Sequence, residues 1–308
     1  MRVFVAVANM QLPLDEGGTI QAHRFISSLN NPIILNWGVT NGKLFKEYAE
    51  VRSYKSIFFR YFSYFLFFMK SVFVAMKERP DVTYFFPLRY PNNIQQLQAL
   101  MLNLFSKKFI EVLYQTPKPS FIFKVLTRFK LGLISKYAMK RYQAYGLDVT
   151  LVPLRHKEPK KYSRDNLRRQ YGFNKDDFIV LHVGHVEKGR GLDVIYNLAK
   201  KNKDIKFLIV TSLRYDKKMN KIENLKVIPK QIDDIYEIYS FVDAYIFPLK
   251  SRYSAIDVPL TVCEAERMGL PLILSDIIDL REESFNNAYY IRDFNKEFVN
   301  IINKIRGK

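Results

Sequence analysis

Ser254-Ala-Ile-Asp-Val-Pro-Leu-Thr-Val-Cys-Glu-Ala-Glu-Arg-Met-Gly-Leu-Pro-Leu-Ile-Leu-Ser275 reads as loop, helix, turn and strand. Pro259 suits the first turn of a helix, where a missing N–H costs nothing. Leu260, Val262, Cys263 and Arg267 follow as the helix. Gly269 stops it, and Pro271 prevents it from restarting. Leu272-Ile-Leu274 is the short apolar run of a buried parallel strand. The first turn of such a helix offers N–H groups to an anion. Glu264 stands one turn further in, an acid on an otherwise apolar helix. That pairing can hold phosphate and a hydroxyl group together.

The same alternation runs through the chain. Strands are predicted at Val3–Ala8, Pro32–Trp37, Asp81–Phe86, Lys108–Tyr114 and Asp148–Val152, with helices over 19–29, 54–77, 92–105 and 121–143. A Pro-containing basic linker follows Pro153. A second series then begins, with strands at 178–183, 206–210, 225–228, 244–247 and 272–274 and helices at 191–202, 232–240 and 292–306. Strand–helix alternation twice over predicts an α/β protein of two doubly wound Rossmann-like domains, residues 1–156 and 157–308.

Composition narrows the function. The chain has 308 residues, 48% of them hydrophobic, which suits two ordinary domains with full cores. A single cysteine excludes a disulfide framework and a cysteine-based metal site. Four scattered histidines show no ligand spacing, so no metal is expected. The net charge of +19 is uneven. Residues 1–156 hold 21 Lys/Arg against 8 Asp/Glu, a surplus of +13, whereas residues 157–308 carry +6. A basic half points to an anionic partner. The Phe- and Tyr-rich helix at 54–77 has two readings: a buried core helix with cations at its ends, or a helix lying on an anionic membrane surface. Its strongly apolar run, Tyr61–Met69, is far shorter than the ~20 residues that span a bilayer. No signal peptide is visible, so the expected location is cytoplasmic, peripheral at the membrane on the second reading.

Ligands of open α/β sheets lie at the carboxyl ends of the strands. The loop Gly184-His-Val-Glu-Lys-Gly-Arg-Gly191 falls there and offers glycines, a helix start and two cations, Lys188 and Arg190. It is neither a P-loop nor a G-x-G-x-x-G fingerprint. With Asp243-Ala-Tyr-Ile-Phe-Pro248 and Asp257–Asp276, this loop resembles the donor-side signature of retaining, GT-B-fold glycosyltransferases of family 4. The resemblance covers about residues 178–285. It implies two domains facing a cleft, with residues 1–156 on the acceptor side and 157–308 binding the nucleotide sugar.

Residue by residue, Glu264 matches the second acid of the family's E-x7-E motif, which holds ribose hydroxyls. The first acid would fall at Ile256, so the resemblance leaves its role to Asp257. Lys188 and Arg190 match the cations on the donor diphosphate, and Gly184 and His185 sit in the same loop. Leu260 and Thr261 match the positions whose N–H groups bind phosphate. Gly17 and Gly18 match the loop facing donor or acceptor. The family's histidine after the fourth strand is replaced by Gln115-Thr116-Pro117. The implied chemistry is hexose transfer with retention from a nucleotide diphosphate sugar to a glycan or lipid-linked acceptor, with no cofactor and no metal. Competing readings are another GT-B-fold enzyme, either a sugar-nucleotide epimerase or an inverting transferase, a binding domain without turnover, and a basic nucleic-acid-binding protein. The charges of the last are not organised around a reading helix, so no nucleic acid is expected.

Overall fold

The structure is a computed structural model that describes all residues except 9–16, 38–48, 52–56, 88–91, 161, 186–188, 212–216, 231, 233 and 308. The chain divides into two compact units, Met1–Arg155 and His156–Lys308.

Among the described residues the first unit holds seven parallel strands: β1 Val3–Ala8, β2 Ile33–Trp37, β3 Ala49–Val51, β4 Val82–Phe86, β5 Lys108–Leu113, β6 Lys130–Leu133 and β7 Val149–Leu151. Their order is β3-β2-β1-β4-β5-β6-β7. β1 is buried at every position, as a strand covered on both faces must be. Helix Gly17–Ser27 covers one face through Ala22, Phe25 and Ile26. Helices Ile57–Glu78, Asn93–Leu104, Phe121–Leu126 and Lys136–Gln143 cover the other through Tyr64, Phe67, Ala99, Phe123 and Tyr142.

One expected element is corrected. Residues 121–143 form a short helix, the strand β6 and a second helix, not one amphipathic helix. Phe121, Val125, Phe129 and Leu133 repeat every four residues, which mimics a helix face. The stretch Lys130–Leu133 instead pairs with Ile110–Leu113. A side chain at Gly132 would come within 2.6 Å of Val152 Cγ2, so only glycine lets the neighbouring segment lie this close. Ser135 then starts the next helix by accepting from the Ala138 N–H at 3.0 Å.

Helix Ile57–Glu78 is not the wholly buried core helix of the first reading. Ser63, Tyr64, Phe67, Ser71 and Ala75 face inward, while Tyr61, Phe62, Phe65, Leu66, Met69, Phe73 and Met76 face solvent.

The second unit holds six parallel strands among the described residues: β8 Phe178–Val183, β9 Ile205–Val210, β10 Leu225–Ile228, β11 Ala244–Phe247, β12 Leu272–Ser275 and β13 Ala288–Ile291. Their order is β10-β9-β8-β11-β12-β13. The direction of winding reverses between β8 and β11, which pair at Ala244–Val180 and Tyr245–Leu181. The helix after β8, Leu192–Lys201, packs on one face of the sheet. The helix after β11, Leu260–Arg267, packs on the other. Departure of successive helices to opposite faces opens a crevice at the carboxyl ends of these two strands.

A buried ion pair closes the base of this unit. Arg168, on helix Arg164–Gln170, donates to Asp243 Oδ2 at 2.7 Å and to the Phe241 carbonyl at 2.9 Å. Asp243 Oδ2 also accepts from the Ile179 N–H at 2.7 Å. The acid that precedes β11 therefore anchors the unit and lies at the end of the strand remote from the crevice.

Candidate functional site

Three loops meet at the carboxyl ends of β8 and β11, and close backbone contacts hold them together. Gly191 starts helix Leu192–Lys201 with a left-handed φ of 74°. A Cβ there would stand 1.8 Å from the Pro248 carbonyl oxygen, so the loop after β8 lies directly on the loop after β11. A Cβ on Gly189 would stand 2.2 Å from Ser254 Oγ, and the Gly189 carbonyl accepts from the Lys250 N–H at 2.8 Å. At Gly191, where the neighbour is main chain, only a residue without a side chain permits this approach.

Tyr245 fastens the third piece. It is fully buried on β11, and its hydroxyl reaches Thr261 Oγ1 at 2.8 Å and the Val183 carbonyl at 3.3 Å. One phenol thus joins the end of β8 to the first turn of helix Leu260–Arg267. Tyr239 adds a bond to the Thr261 carbonyl at 3.1 Å. Burial pushes the Tyr245 phenol far up, and the charges of Glu264 and Arg190 both reach it.

The helix start is open. Pro259 precedes it and offers no side-chain cap. The Val262 and Cys263 N–H groups bond back to the Pro259 carbonyl at 3.1 and 3.2 Å. No bond among the described residues uses the Leu260 or Thr261 N–H, and these are the donors an anion would meet. Glu264 is buried, at 3% exposure. Arg190 lies over the loop, with Nη1 3.7 Å from where a Gly184 Cβ would stand. His185 Nδ1 is buried with no hydrogen-bond partner among the described residues. Lys188 lies outside the described residues. Gly17 and Gly18 open helix Gly17–Ser27 at the carboxyl side of β1, in the first unit.

Asp257 is buried beside Arg252, whose Nη2 stands 3.9 Å from Asp257 Oδ1 and 3.2 Å from Asp279 Oδ1. Sequence reasoning singled out neither Arg252 nor Asp279. Asp279 Oδ2 is buried without a hydrogen-bond partner among the described residues. Two buried carboxylates thus share one guanidinium. His182 also escaped notice as part of the site. It is fully buried on β8, donates from Nδ1 to the Ile246 carbonyl at 3.0 Å and stacks on Phe247. Burial pushes its imidazole down to about 4, so it is neutral at pH 7 and sits under the Gly184 loop.

Comparison with known proteins fits this arrangement. Residues 163–305 match the family described as glycosyl transferases group 1. A glycosyltransferase from Rickettsia africae superposes with a TM-score of 0.71 at 16% identity, covering 99% of this chain and 88% of that one. Anabaena Alr3699/HepE in complex with UDP-glucose superposes with a TM-score of 0.73 at 12% identity, covering 99% and 89%. At this identity the likeness shows the fold, which is GT-B. Alpha-galactosylglucosyldiacylglycerol synthase of Streptococcus pneumoniae is 26% identical over 123 residues, 36% of this chain and 32% of that protein. The chain therefore spans about a third of the length of the curated relative it matches.

Proposed function

We propose, from the match of residues 163–305 to the family described as glycosyl transferases group 1, that the protein transfers a hexose, with retention, from a nucleotide diphosphate sugar to a glycan or lipid-linked acceptor. The observation that carries this reading is the start of helix Leu260–Arg267, where the Leu260 and Thr261 N–H groups have no partner among the described residues, one turn before the buried Glu264 and tied through Tyr245 to the end of β8. UDP-glucose, held by the Anabaena neighbour, is a ligand of this kind.

In this reading the diphosphate lies against the Leu260 and Thr261 N–H groups, with Arg190 and Lys188 supplying positive charge. The leaving diphosphate gains negative charge as the glycosidic bond breaks. Donors already in place stabilise that charge without reorganising, commonly the largest catalytic contribution. Protein cations neutralise the diphosphate, so the chemistry calls for no metal or cofactor. Glu264 accepts two hydroxyls from the ribose, a task suited to a buried carboxylate with two oxygens. Asp257, held by Arg252, accepts from the sugar. Gly184 and His185 line the diphosphate side, and Gly17 and Gly18 are the first unit's own substrate-binding residues. The protein works at the cytoplasmic face of a membrane, where a lipid-linked acceptor is presented.

The test is thermal stabilisation by a panel of nucleotide sugars, with wild type and Glu264→Gln side by side. Wild type gains several degrees with at least one sugar nucleotide, and Glu264→Gln loses most of that gain. Stabilisation by none of them, or equal stabilisation of both proteins, overturns the reading. A product of inverted anomeric configuration removes retention and favours an inverting GT-B enzyme. Conversion of the sugar nucleotide without an acceptor favours an epimerase.

A further inference from the structure

Helix Ile57–Glu78 is apolar on both sides, and its buried side carries polar groups among Phe67 and Ala75. Ser63 Oγ accepts from Trp37 Nε1 at 3.1 Å. The Tyr64 hydroxyl donates to Gln98 Oε1, and Gln98 Nε2 donates to Ser71 Oγ at 2.8 Å. The next helices continue this inner polar layer. Gln96 Nε2 bonds both oxygens of Glu111 at 2.9 and 3.1 Å, and Thr127 donates to Gln96 at 2.9 Å. Burial pushes Glu111 up to about 8, so this carboxyl is largely protonated at pH 7.

The outer side is apolar. At about 100° per residue, Tyr61, Phe62, Phe65, Leu66, Met69, Phe73 and Met76 fall within an arc of about 140°. Lys70 and Lys77 are exposed at its edge. Ile94, Leu97 and Leu104 on the adjacent helix Asn93–Leu104 are exposed too, with Leu104 at 67%. So are Phe121, Ile122 and Val125 on helix Phe121–Leu126, with Phe121 at 80%. These helices lie side by side on one face of the sheet. A helix bordered by water is polar on its outer side. A continuous apolar patch this broad marks an interaction site.

We propose that this three-helix face docks on the surface of an anionic lipid bilayer. It deepens the membrane placement given above and does not depend on the donor chemistry of the second unit. Charge selects the occupant. Residues 57–78, 93–104 and 117–130 together hold seven Lys/Arg and a single acid, Glu78. Lys118 and Arg128 are exposed beside Phe121, as Lys70 and Lys77 are beside Phe73 and Met76. A second copy of the same face would bring like charges together, whereas anionic headgroups complement them. Aromatic side chains then enter the boundary between headgroups and acyl chains, and the cations remain at headgroup level. Among the described residues no helix is long and apolar enough to cross a membrane, so the contact is interfacial.

The experiment is sedimentation of the full chain with vesicles of phosphatidylcholine alone and with about a third phosphatidylglycerol, at about 50 and about 500 mM salt, a range over which charge attraction is screened away. Wild type pellets with the anionic vesicles at low salt and less at high salt. Phe65→Ser/Phe73→Ser removes two outward rings and leaves the inner polar layer intact. Its partitioning falls about tenfold per ring, about a hundredfold in all. Near-ultraviolet circular dichroism and Trp37 fluorescence confirm that the variant folds. No pelleting of wild type with anionic vesicles at low salt overturns the proposal, as does equal pelleting of the folded double variant. A wild-type dimer that the double variant converts to monomer, without vesicle binding, reassigns the face to self-association. Glu264→Gln pellets like wild type. Vesicle binding without stabilisation by any nucleotide sugar leaves the docking face standing and removes the donor reading alone.

Discussion

Gly191→Ala and Gly269→Ala form a matched pair of perturbations. Both glycines have left-handed backbone, with φ of 74° and 71°. A methyl group on Gly269 would meet nothing within 4 Å, whereas one on Gly191 would stand 1.8 Å from the Pro248 carbonyl oxygen and 2.8 Å from its carbon. Left-handed backbone costs an L-residue about 1–2 kcal/mol. That cost alone applies at Gly269. At Gly191 the contact is with main chain, which cannot rotate aside, so the loop after β11 must move. Overpacking of this kind adds about 1–3 kcal/mol, for a total of about 2–5 kcal/mol. For a unit of this size the midpoints fall by about 5 °C for Gly269→Ala and about 10 °C for Gly191→Ala. Thermal unfolding followed by far-ultraviolet circular dichroism measures both, with nucleotide sugar absent and present. The displaced loop also breaks the Lys250–Gly189 bond, so Gly191→Ala loses stabilisation by ligand while Gly269→Ala keeps it. Equal midpoints, or full ligand stabilisation of Gly191→Ala, would refute the claim that the loops are fixed by contact at this glycine.

Two further expectations concern buried charge. Glu111 releases its proton near 4.5 when unfolded but only near 8 when folded. Its contribution to the first unit is therefore fully present below about pH 4.5 and is lost as pH rises toward 8, on the order of a few kcal/mol. Urea unfolding followed by Trp37, the single tryptophan of the chain and a residue of that unit, will show the slope, and Glu111→Gln will flatten it. An unchanged slope in the variant would rule out Glu111 as its source. In the second unit, Asp243→Ala leaves the buried Arg168 guanidinium with carbonyl partners alone, at Phe241 and Asp177 among others, and removal of one member of a fully buried pair, at about 3–5 kcal/mol, sets the upper bound of the loss. Chemical denaturation measures the loss, and a value below about 1 kcal/mol would contradict the anchoring role.

Ten of the thirteen strands were legible because parallel strands covered on both faces are near-continuous apolar runs, as Val3–Ala8 and Leu272–Leu274 are, whereas the short β3 and β13 passed unread. β6 also passed unread, because Leu133 and the preceding Phe129 fit a helical repeat. The stop at Gly132 takes meaning only from Val152, its neighbour in space. The glycine loop and the Pro259 helix start announced themselves through residues whose backbone demands are local. Tyr245, Arg252 and Asp279 did not. Their roles rest on contacts to Thr261, to Asp257 with Asp279, and to Arg252, which the fold creates. The Phe and Tyr content of residues 57–78 was plain from sequence. Which side faced outward became readable only when Ser63, Tyr64 and Ser71 were found bonded inward.

That helix also sets an order of events during synthesis. Ser71 and Tyr64 wait for Gln98, which lies 27 and 34 residues further along the chain. At about 5–20 residues per second, roughly 30 residues take about 2–6 s to appear. During that interval the helix has lost none of its outward aromatic surface and has not yet gained its inner partners. Until Gln98 emerges, the polar groups of this helix and its outward rings are exposed together, and slow translation between Glu78 and Gln98 lengthens that interval.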